Sequence, residues 1–367
     1  YIGLPLVKEI TNWKNNELWK QSEEITYKMN TPFIEKKIIK VNGNKVGETR
    51  WTYDDFGNIL TEKAAPYSAT EFLGKTYTYD TDNRYLKTVT DALGRTTTTL
   101  SYDKYGNPLS VMDFLQHTTN YTYDNLGRAV ITNYPDDVTK SNIYTWSNVK
   151  GSYLHTQTVT GKPQLRTFYD ALNREIRNGD QRFDGTWRYI DTEYDRYGRL
   201  KRTSLPFKGN DPTLWNTYTY DEYDRTISLI EASGKTTTTS YNGRSITVVS
   251  ENISTTRTYD ESGKLVAATD PGGSISYIYR PDGQLKQIIA PDNIITSFEY
   301  DSYGRQTKLI DPSAGTQTYS ESYSGNIRTI TQTNANNKTI TSVFDKYGRI
   351  TSKSCPEFTT NYSYDPV

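Results

Sequence analysis

The sequence predicts an all-β protein built from tandem antiparallel β-hairpins that form one long curled or spiral sheet. Three observations carry this. The chain holds 32 Tyr and 54 Thr among 367 residues, roughly 23% together, and both types favour a pleated, half-buried surface. A short unit recurs along the chain: an aromatic residue, Asp, two variable residues, Gly, then a polar or basic residue. Between its copies lies a second set of turn signals.

The clear copies begin with Tyr53-Asp54-Asp55-Phe56-Gly57-Asn58, Tyr102-Asp103-Lys104-Tyr105-Gly106-Asn107 and Tyr123-Asp124-Asn125-Leu126-Gly127-Arg128. They continue with Tyr194-Asp195-Arg196-Tyr197-Gly198-Arg199 and Tyr259-Asp260-Glu261-Ser262-Gly263-Lys264. The last are Tyr300-Asp301-Ser302-Tyr303-Gly304-Arg305 and Phe344-Asp345-Lys346-Tyr347-Gly348-Arg349. Asn or Asp replaces the Gly after Tyr79-Asp80, Tyr169-Asp170 and Tyr220-Asp221. Degenerate copies start at Tyr144, Tyr241, Tyr279 and Tyr323. With Tyr364 these make fifteen anchors, spaced 18 to 26 residues apart with a mean near 22.

Asp-x-x-Gly is a four-residue turn with a side-chain acceptor at its first position and a positive-φ residue at its fourth. Asn and Asp tolerate that backbone region, which accounts for their replacing Gly. The turn therefore joins two strands as a hairpin, a type I turn with a bulge at the Gly. Aromatics sit two apart before it, as in Trp51/Tyr53, Tyr77/Tyr79 and Tyr218/Tyr220. Such positions share one face of a strand and predict a ladder of rings. The mid-period turn signals are Asp91-Ala92-Leu93-Gly94, Asn178-Gly179, Ala232-Ser233-Gly234, Asp270-Pro271-Gly272-Gly273, Pro291-Asp292-Asn293 and Asp311-Pro312. Between turns, Thr96 to Thr99 and Thr236 to Thr239 read as strands.

Residues 1–50 are less regular. Val41-Asn42-Gly43-Asn44-Lys45 between β-prone flanks is a hairpin signal, and Trp13-Lys14-Asn15-Asn16-Glu17-Leu18-Trp19 is another. The segment reads as diverged N-terminal hairpins of the same sheet, with a short helix as the alternative for Glu17 to Tyr27. Residues 51–367 read as the array, with no linker. Its end at Tyr364-Asp365-Pro366-Val367 falls mid-repeat and is expected to be a truncation. Roughly thirty strands at about 4.8 Å each exceed what an open sheet sustains flat, so the ribbon must coil. Stability then comes from neighbouring repeats. Free edges should be blunted by Lys, Pro or irregular hairpins.

Several functional classes fall away. Lys+Arg and Asp+Glu are 43 each, so no global field attracts nucleic acid. The single Cys, Cys355, excludes an intramolecular disulfide framework and a cysteine-based zinc site. No 18-residue apolar run is long enough for a membrane-spanning helix.

These repeats resemble the YD repeat of the RHS family over about residues 51–367. The family includes bacterial Rhs polymorphic toxins, wall-associated proteins, the C component of insecticidal toxin complexes, and teneurins. Gly3-Leu4-Pro5 is also similar to the opening of such repeat regions. The resemblance implies a hollow β-shell, secreted or at a bacterial cell surface, that encloses a C-terminal effector or serves adhesion. Family shells commonly end in a self-cleaving element with an Asp-Pro-x-Gly-Leu motif. Asp270-Pro271-Gly272-Gly273 and Asp311-Pro312-Ser313-Ala314 share only its Asp-Pro and sit mid-array, so self-cleavage is not carried onto them.

The chemistry-bearing residues read mainly as structure. His117 and His155 are the only imidazoles and sit in strand- or loop-like contexts. Asp54/Asp55 and Asp136/Asp137 read as turn caps rather than acid/base pairs, and Cys355 before Pro356 lacks a nearby His in sequence. No metal, cofactor or catalytic group is expected. The basic residues after the turn Gly (Arg128, Arg199, Arg305, Arg349) are expected to pair with a neighbouring repeat's Asp or Glu. The six Trp are scattered and read as cross-strand packing, with sugar stacking as the alternative. The expectation is a non-enzymatic shell module whose partner is its own missing C-terminal domain or another enclosed polypeptide. The alternative is an adhesion module for a surface glycan or protein.

Overall fold

The computed structural model describes residues 4–14, 16–66, 71–147 and 149–365. Gly3, Asn15, Pro366 and Val367, named above, lie outside them. Within the described residues the chain forms 32 strands, one 3-10 turn at Pro291–Asn293 and no α-helix. The strands belong to one sheet, and in every recorded pairing sequence neighbours run antiparallel. The fold is all-β, a succession of hairpins.

Local chemistry explains the hairpins. At Val41–Asn44, Asn42 and Gly43 both take positive φ, so two residues suffice to reverse the chain. Glu17–Tyr27 is an eleven-residue strand, paired with Val7–Lys14 on one side and Ile34–Val41 on the other. The helical alternative fails because Trp19, Ile25 and Tyr27 recur with period two, placing them on one face. Asn178-Gly179 is not a turn; it lies inside the strand Glu175–Gln181. Gly179 stands there because the Tyr189 ring lies against it, where a Cβ would come within 2.4 Å of Cδ1. The reversal comes instead at Arg182–Gly185.

Two units divide the chain by packing: residues 1–98 with 274–367, and residues 99–273. Neither division is a linker. One falls inside the strand Thr96–Tyr102, the other at the start of Gly273–Tyr279. Within the first unit the sheet returns on itself. Lys346 Nζ lies 3.0 Å from Glu71 Oε1, and Asn326 Nδ2 donates to Glu71 Oε2 at 3.0 Å. Lys286 pairs with Glu17, and Lys14 Nζ sits 5.5 Å from the Tyr279 ring centre. The edge strand Val7–Lys14 carries Lys at both positions 8 and 14, and the other edge strand, Thr359–Asn361, is three residues long and follows Pro356.

A single-layer sheet has little interior. The buried hydrophobic residues among those described are Ile25, Ala65 and Phe168. More polar ones are buried: Glu48, Thr132, Arg177, Asp191 and Ser204. Arg177 and Asp191 face each other across Glu175–Gln181 and Trp187–Tyr194 in the second unit. Arg177 gives Asp191 a two-pronged pair, Nε to Oδ1 at 2.5 Å and Nη2 to Oδ2 at 2.8 Å, and Lys150 joins it. The guanidinium also donates to the Asn210 carbonyl at 2.6 Å and lies between the Tyr189 and Phe207 rings. It thereby pins the long 205–214 connection over the sheet.

Candidate functional site: the stapled repeat turn

The feature that recurs most is the turn, and Asp195 illustrates it. Gly198 N–H donates to the Asp195 carbonyl at 3.0 Å, and Asp195 N–H to the Arg199 carbonyl at 2.9 Å. Gly198 has φ +85°, and the ladder shifts register between Glu193 and Tyr194. This is a type I turn closed by a glycine bulge. Asp195 Oδ1 accepts the N–H groups of Tyr197 and Arg199, at 2.9 and 3.0 Å. Oδ2 accepts Arg199 Nε at 2.7 Å. One carboxylate thus satisfies the backbone donors that the turn leaves open.

The same pattern holds at other anchors that carry the Asp. Asp124, Asp301 and Asp345 each take two turn N–H groups and the Arg four residues on. At Asp54 and Asp103 the amides of Asn58 and Asn107 replace the guanidinium. Asp260 takes Ser262 and Lys264 N–H groups. Gly57, Gly106, Gly127, Gly263, Gly304 and Gly348 all have positive φ. Hydrogen bonding holds two of these carboxyl groups, Asp103 and Asp124, low. Asp103 is lowered first by the Asn107 amide, and Asp124 first by the Arg128 N–H.

Arg128, Arg199, Arg305 and Arg349 pair first with their own turn's Asp, not with a neighbour's, because four residues of turn bring Nε onto Oδ2. Arg199 and Arg305 then reach outward as well, to Asp224 at 2.6 Å and Glu321 at 3.3 Å. The guanidinium face also covers the next repeat's Tyr. Arg128 lies 3.9 Å from the Tyr144 centroid, Arg199 4.7 Å from Tyr220 and Arg349 4.7 Å from Tyr364. The aromatic ladder is therefore partly a stack of alternating rings and guanidinium groups. Direct ring stacking occurs too, as between Tyr121 and Tyr123 at 6.4 Å.

The anchor tyrosines have a second role that their spacing does not reveal. In many repeats the anchor hydroxyl donates to the carbonyl just after the preceding repeat's turn. Tyr79 reaches Ile59 at 3.0 Å, Tyr123 Pro108 at 2.9 Å, Tyr194 Glu175 at 2.9 Å, Tyr220 Leu200 at 2.7 Å and Tyr300 Leu285 at 2.7 Å. Tyr53 reaches Ile34 at 2.9 Å. Burial raises the pKa of Tyr53, Tyr123, Tyr194 and Tyr300, which keeps the donor proton in place. Tyr102, Tyr259 and Phe344 likewise end the strand before their turn, Phe344 under Arg328. The hydroxyl staple and the Arg177–Asp191 pair were not foreseen. The one available signal was the 26-residue interval from Tyr194 to Tyr220, which contains the 205–214 insertion.

The remaining candidates are not brought together. His117 occupies the position of the turn Arg, with Nδ1 3.5 Å from Asp113 Oδ2 on the exposed surface. His155 stacks on Tyr144 with Nε2 3.1 Å from Asn142 Oδ1, and burial lowers its pKa, then Lys140 and Arg128. Asp136 and Asp137 both take positive φ within a turn. Cys355 N–H donates to the Phe358 carbonyl. Among the described residues no group of three His, Cys, Asp or Glu is placed to hold a metal. Trp187 and Trp215 are covered by Arg166 and Arg202.

Residues 190–366 match the family described as Teneurin YD-shell. A tRNA3(Ser)-specific nuclease WapA of Bacillus spizizenii is 28% identical over 195 residues, 51% of this chain and 8% of that protein. The solved Tc holotoxin pore of Photorhabdus luminescens has a TM-score of 0.65 at 13% identity, over 94% of this chain and 29% of the other. The TcdB2-TccC3 crystal structure has a TM-score of 0.56 at 13% identity, over 95% and 30%. This chain spans less than a third of each of these proteins, and at such identities the two structures establish the fold alone. Repeat, turn geometry and family match agree: the chain is a repeat array of the RHS/YD type, and its residues 190–366 match the Teneurin YD-shell family.

Proposed function

We propose that residues 1–367 are a non-catalytic stretch of wall in a secreted or surface protein, and that this wall encloses or presents another polypeptide. One observation carries the reading: the repeated chemistry is used up within the sheet. Turn carboxylates, arginines and tyrosine hydroxyls bind their own turn or the next repeat. Each added hairpin extends a surface without requiring a core or a reacting group. Residues 1–50 are, in this reading, diverged hairpins of the same array, and residues 51–367 its regular part. One structural neighbour is a Tc holotoxin pore, a large assembly in which a wall module has a place, and this supports the reading.

The test is protease protection on the protein as its gene encodes it. A broad-specificity protease is applied to the native protein and again in denaturant, and fragments are read by mass spectrometry. The expected result is a segment outside residues 1–367 that survives natively and is cut once the wall unfolds. Equal digestion of every such segment in both conditions would overturn the reading.

A further inference from the structure

Of the two imidazoles in the chain, His155 is the half-buried one, and it sits inside a hydrogen-bonded stack. It pairs across strands with Tyr144 in the hairpin formed by Thr139–Trp146 and Tyr153–Val159, with ring centres 4.6 Å apart and planes 11° from parallel. Thr167 of the strand Leu165–Tyr169 is its partner on the other side. Asn142 fixes which imidazole nitrogen carries the proton. The Asn142 amide nitrogen donates to the Ala129 carbonyl at 3.0 Å, so its oxygen faces His155. That oxygen accepts His155 Nε2–H at 3.1 Å and Gln157 Nε2–H at 3.2 Å. A second proton therefore has to go to Nδ1.

The surroundings oppose that second proton. Burial disfavours a charged imidazole, and Lys140 and Arg128 add to it. Lys140 lies two residues before Asn142 on the same strand, and the Arg128 guanidinium lies 3.9 Å from the Tyr144 ring centre. On its own strand His155 is flanked by Tyr153 and Gln157, neither charged. The next strand places Leu165, Thr167 and Tyr169 on the same face, again with no charge. Carboxylates of the flanking elements are engaged elsewhere: Asp124 with Arg128, Glu175 with Tyr169 and Asn178, and Asp180 with Arg188. His117 is the opposite case, exposed and with Nδ1 3.5 Å from Asp113 Oδ2.

We propose that this hairpin is an acid-sensitive element of the second unit: a proton gained at His155 Nδ1 sets a cation into the stack, facing Lys140 and Arg128, and the hairpin opens. The opening reaches beyond one pair. The connection between the two strands carries Lys150 to the buried Asp191, and Ser152 N–H to the Tyr169 carbonyl at 2.6 Å. Loosening the strands withdraws both. Because the fold favours the neutral ring, the hairpin is fully held above the imidazole's unfolded value, about 6.5, and is lost as pH falls below it. That window lies above the one in which carboxylates titrate. In an array whose repeats contact only their neighbours, the opening stays local. Acid sensitivity of this hairpin needs no cargo, so its test and protease protection fail independently.

Amide exchange of the gene-encoded protein at about pH 7.5 and about pH 5.5, each corrected for the intrinsic rate, tests it. Protection in Thr139–Trp146 and Tyr153–Val159 is expected to fall severalfold at the lower pH, while Thr226–Ile230 and Thr236–Asn242 keep theirs. His155→Gln stays neutral and retains an amide donor for Asn142, and should abolish the response. His117→Gln should leave it unchanged. NMR titration of the unaltered protein gives a readout that needs no variant: His155 must titrate below an unstructured histidine. Equal protection at both pH values, a response that survives His155→Gln, or a His155 that titrates at or above an unstructured histidine would overturn the inference.

Discussion

Tyr220 and Leu200 are twenty positions apart, yet the tyrosine hydroxyl donates to the leucine carbonyl at 2.7 Å while Arg199 covers the tyrosine ring. The contact joins one turn to the hairpin that follows it. It recurs at Tyr79, Tyr123, Tyr194 and Tyr300, so a short repeat becomes a continuous wall through one bond type. Tyr220→Phe keeps the ring and removes the bond. The expected cost is about 0.5–1.5 kcal/mol, seen as a lower urea midpoint and faster amide exchange in Leu200–Ser204 and Trp215–Tyr220. Unchanged exchange in both strands would show that the hydroxyl contributes nothing.

The turn carboxylates make acid the condition that loosens the array. Asp103 and Asp124 titrate below the ordinary carboxylate range because the Asn107 amide and the Arg128 N–H favour the charged form. A depressed folded-state pKa gives stability that is present above the unfolded value, about 3.9, and lost as pH falls through the folded one. The urea midpoint should therefore be flat near neutrality and fall on acidification below about pH 4. Carboxyl NMR titration checks the sign directly, since Asp103 and Asp124 must titrate below an unstructured Asp.

The Arg177–Asp191 pair should matter more than any surface pair. Asp191 is 1% exposed, and Arg177 is bound to both carboxylate oxygens. Arg177→Met leaves a buried carboxylate with only Lys150, and is expected to cost about 3–5 kcal/mol. Arg177→Met with Asp191→Leu should recover most of that loss. A double variant no more stable than the single one would show that the charge is not the source of the cost. Amide exchange at Tyr189 and Phe207 reports whether the 205–214 connection has been released.

Gly179 tests the same region by packing. A Cβ there would lie 2.4 Å from Tyr189 Cδ1 and 3.3 Å from the Arg188 carbonyl. Gly179→Ala should displace the ring at a cost of about 1–3 kcal/mol and weaken the Tyr189–Phe207 bridge. Wild-type exchange at Tyr189 would contradict it.

Glu71→Lys should open the seam of the first unit by setting like charges against Lys346. Both partners are partly exposed, so the native pair is screened by salt and its loss is a local event. Lys346 is raised above its ordinary value first by its bond to Glu71, so its contribution holds below that value and is lost as pH rises through the raised one. Amide exchange should quicken around Leu73 and Tyr347 and stay unchanged in residues 99–273. Faster exchange in both units would mean that the seam is not local.

How far the molecule was legible in the sequence follows from the range of its interactions. Turns were readable because Asp, Gly and the residues between them act within five positions, and glycine's backbone freedom is local. Asn178-Gly179 misled because glycine carries two meanings, a turn or a close approach, and only the Tyr189 ring distinguishes them. The own-turn pairing of Arg199 was hidden because its side chain is long enough for either partner, and only the bulge geometry selects Asp195.

The sequence by itself determined that this protein is a train of β-hairpins, where the Asp-marked ones reverse, and which residues close those turns. Those features depend on backbone preferences and hydrogen bonds within a few residues. The tertiary structure alone decided which tyrosine meets which carbonyl, that Arg177 and Asp191 are buried together, and that Glu71 meets Lys346 across 275 positions. Sheet twist and register accumulate strand by strand, and their sum over many hairpins is not encoded in any one of them.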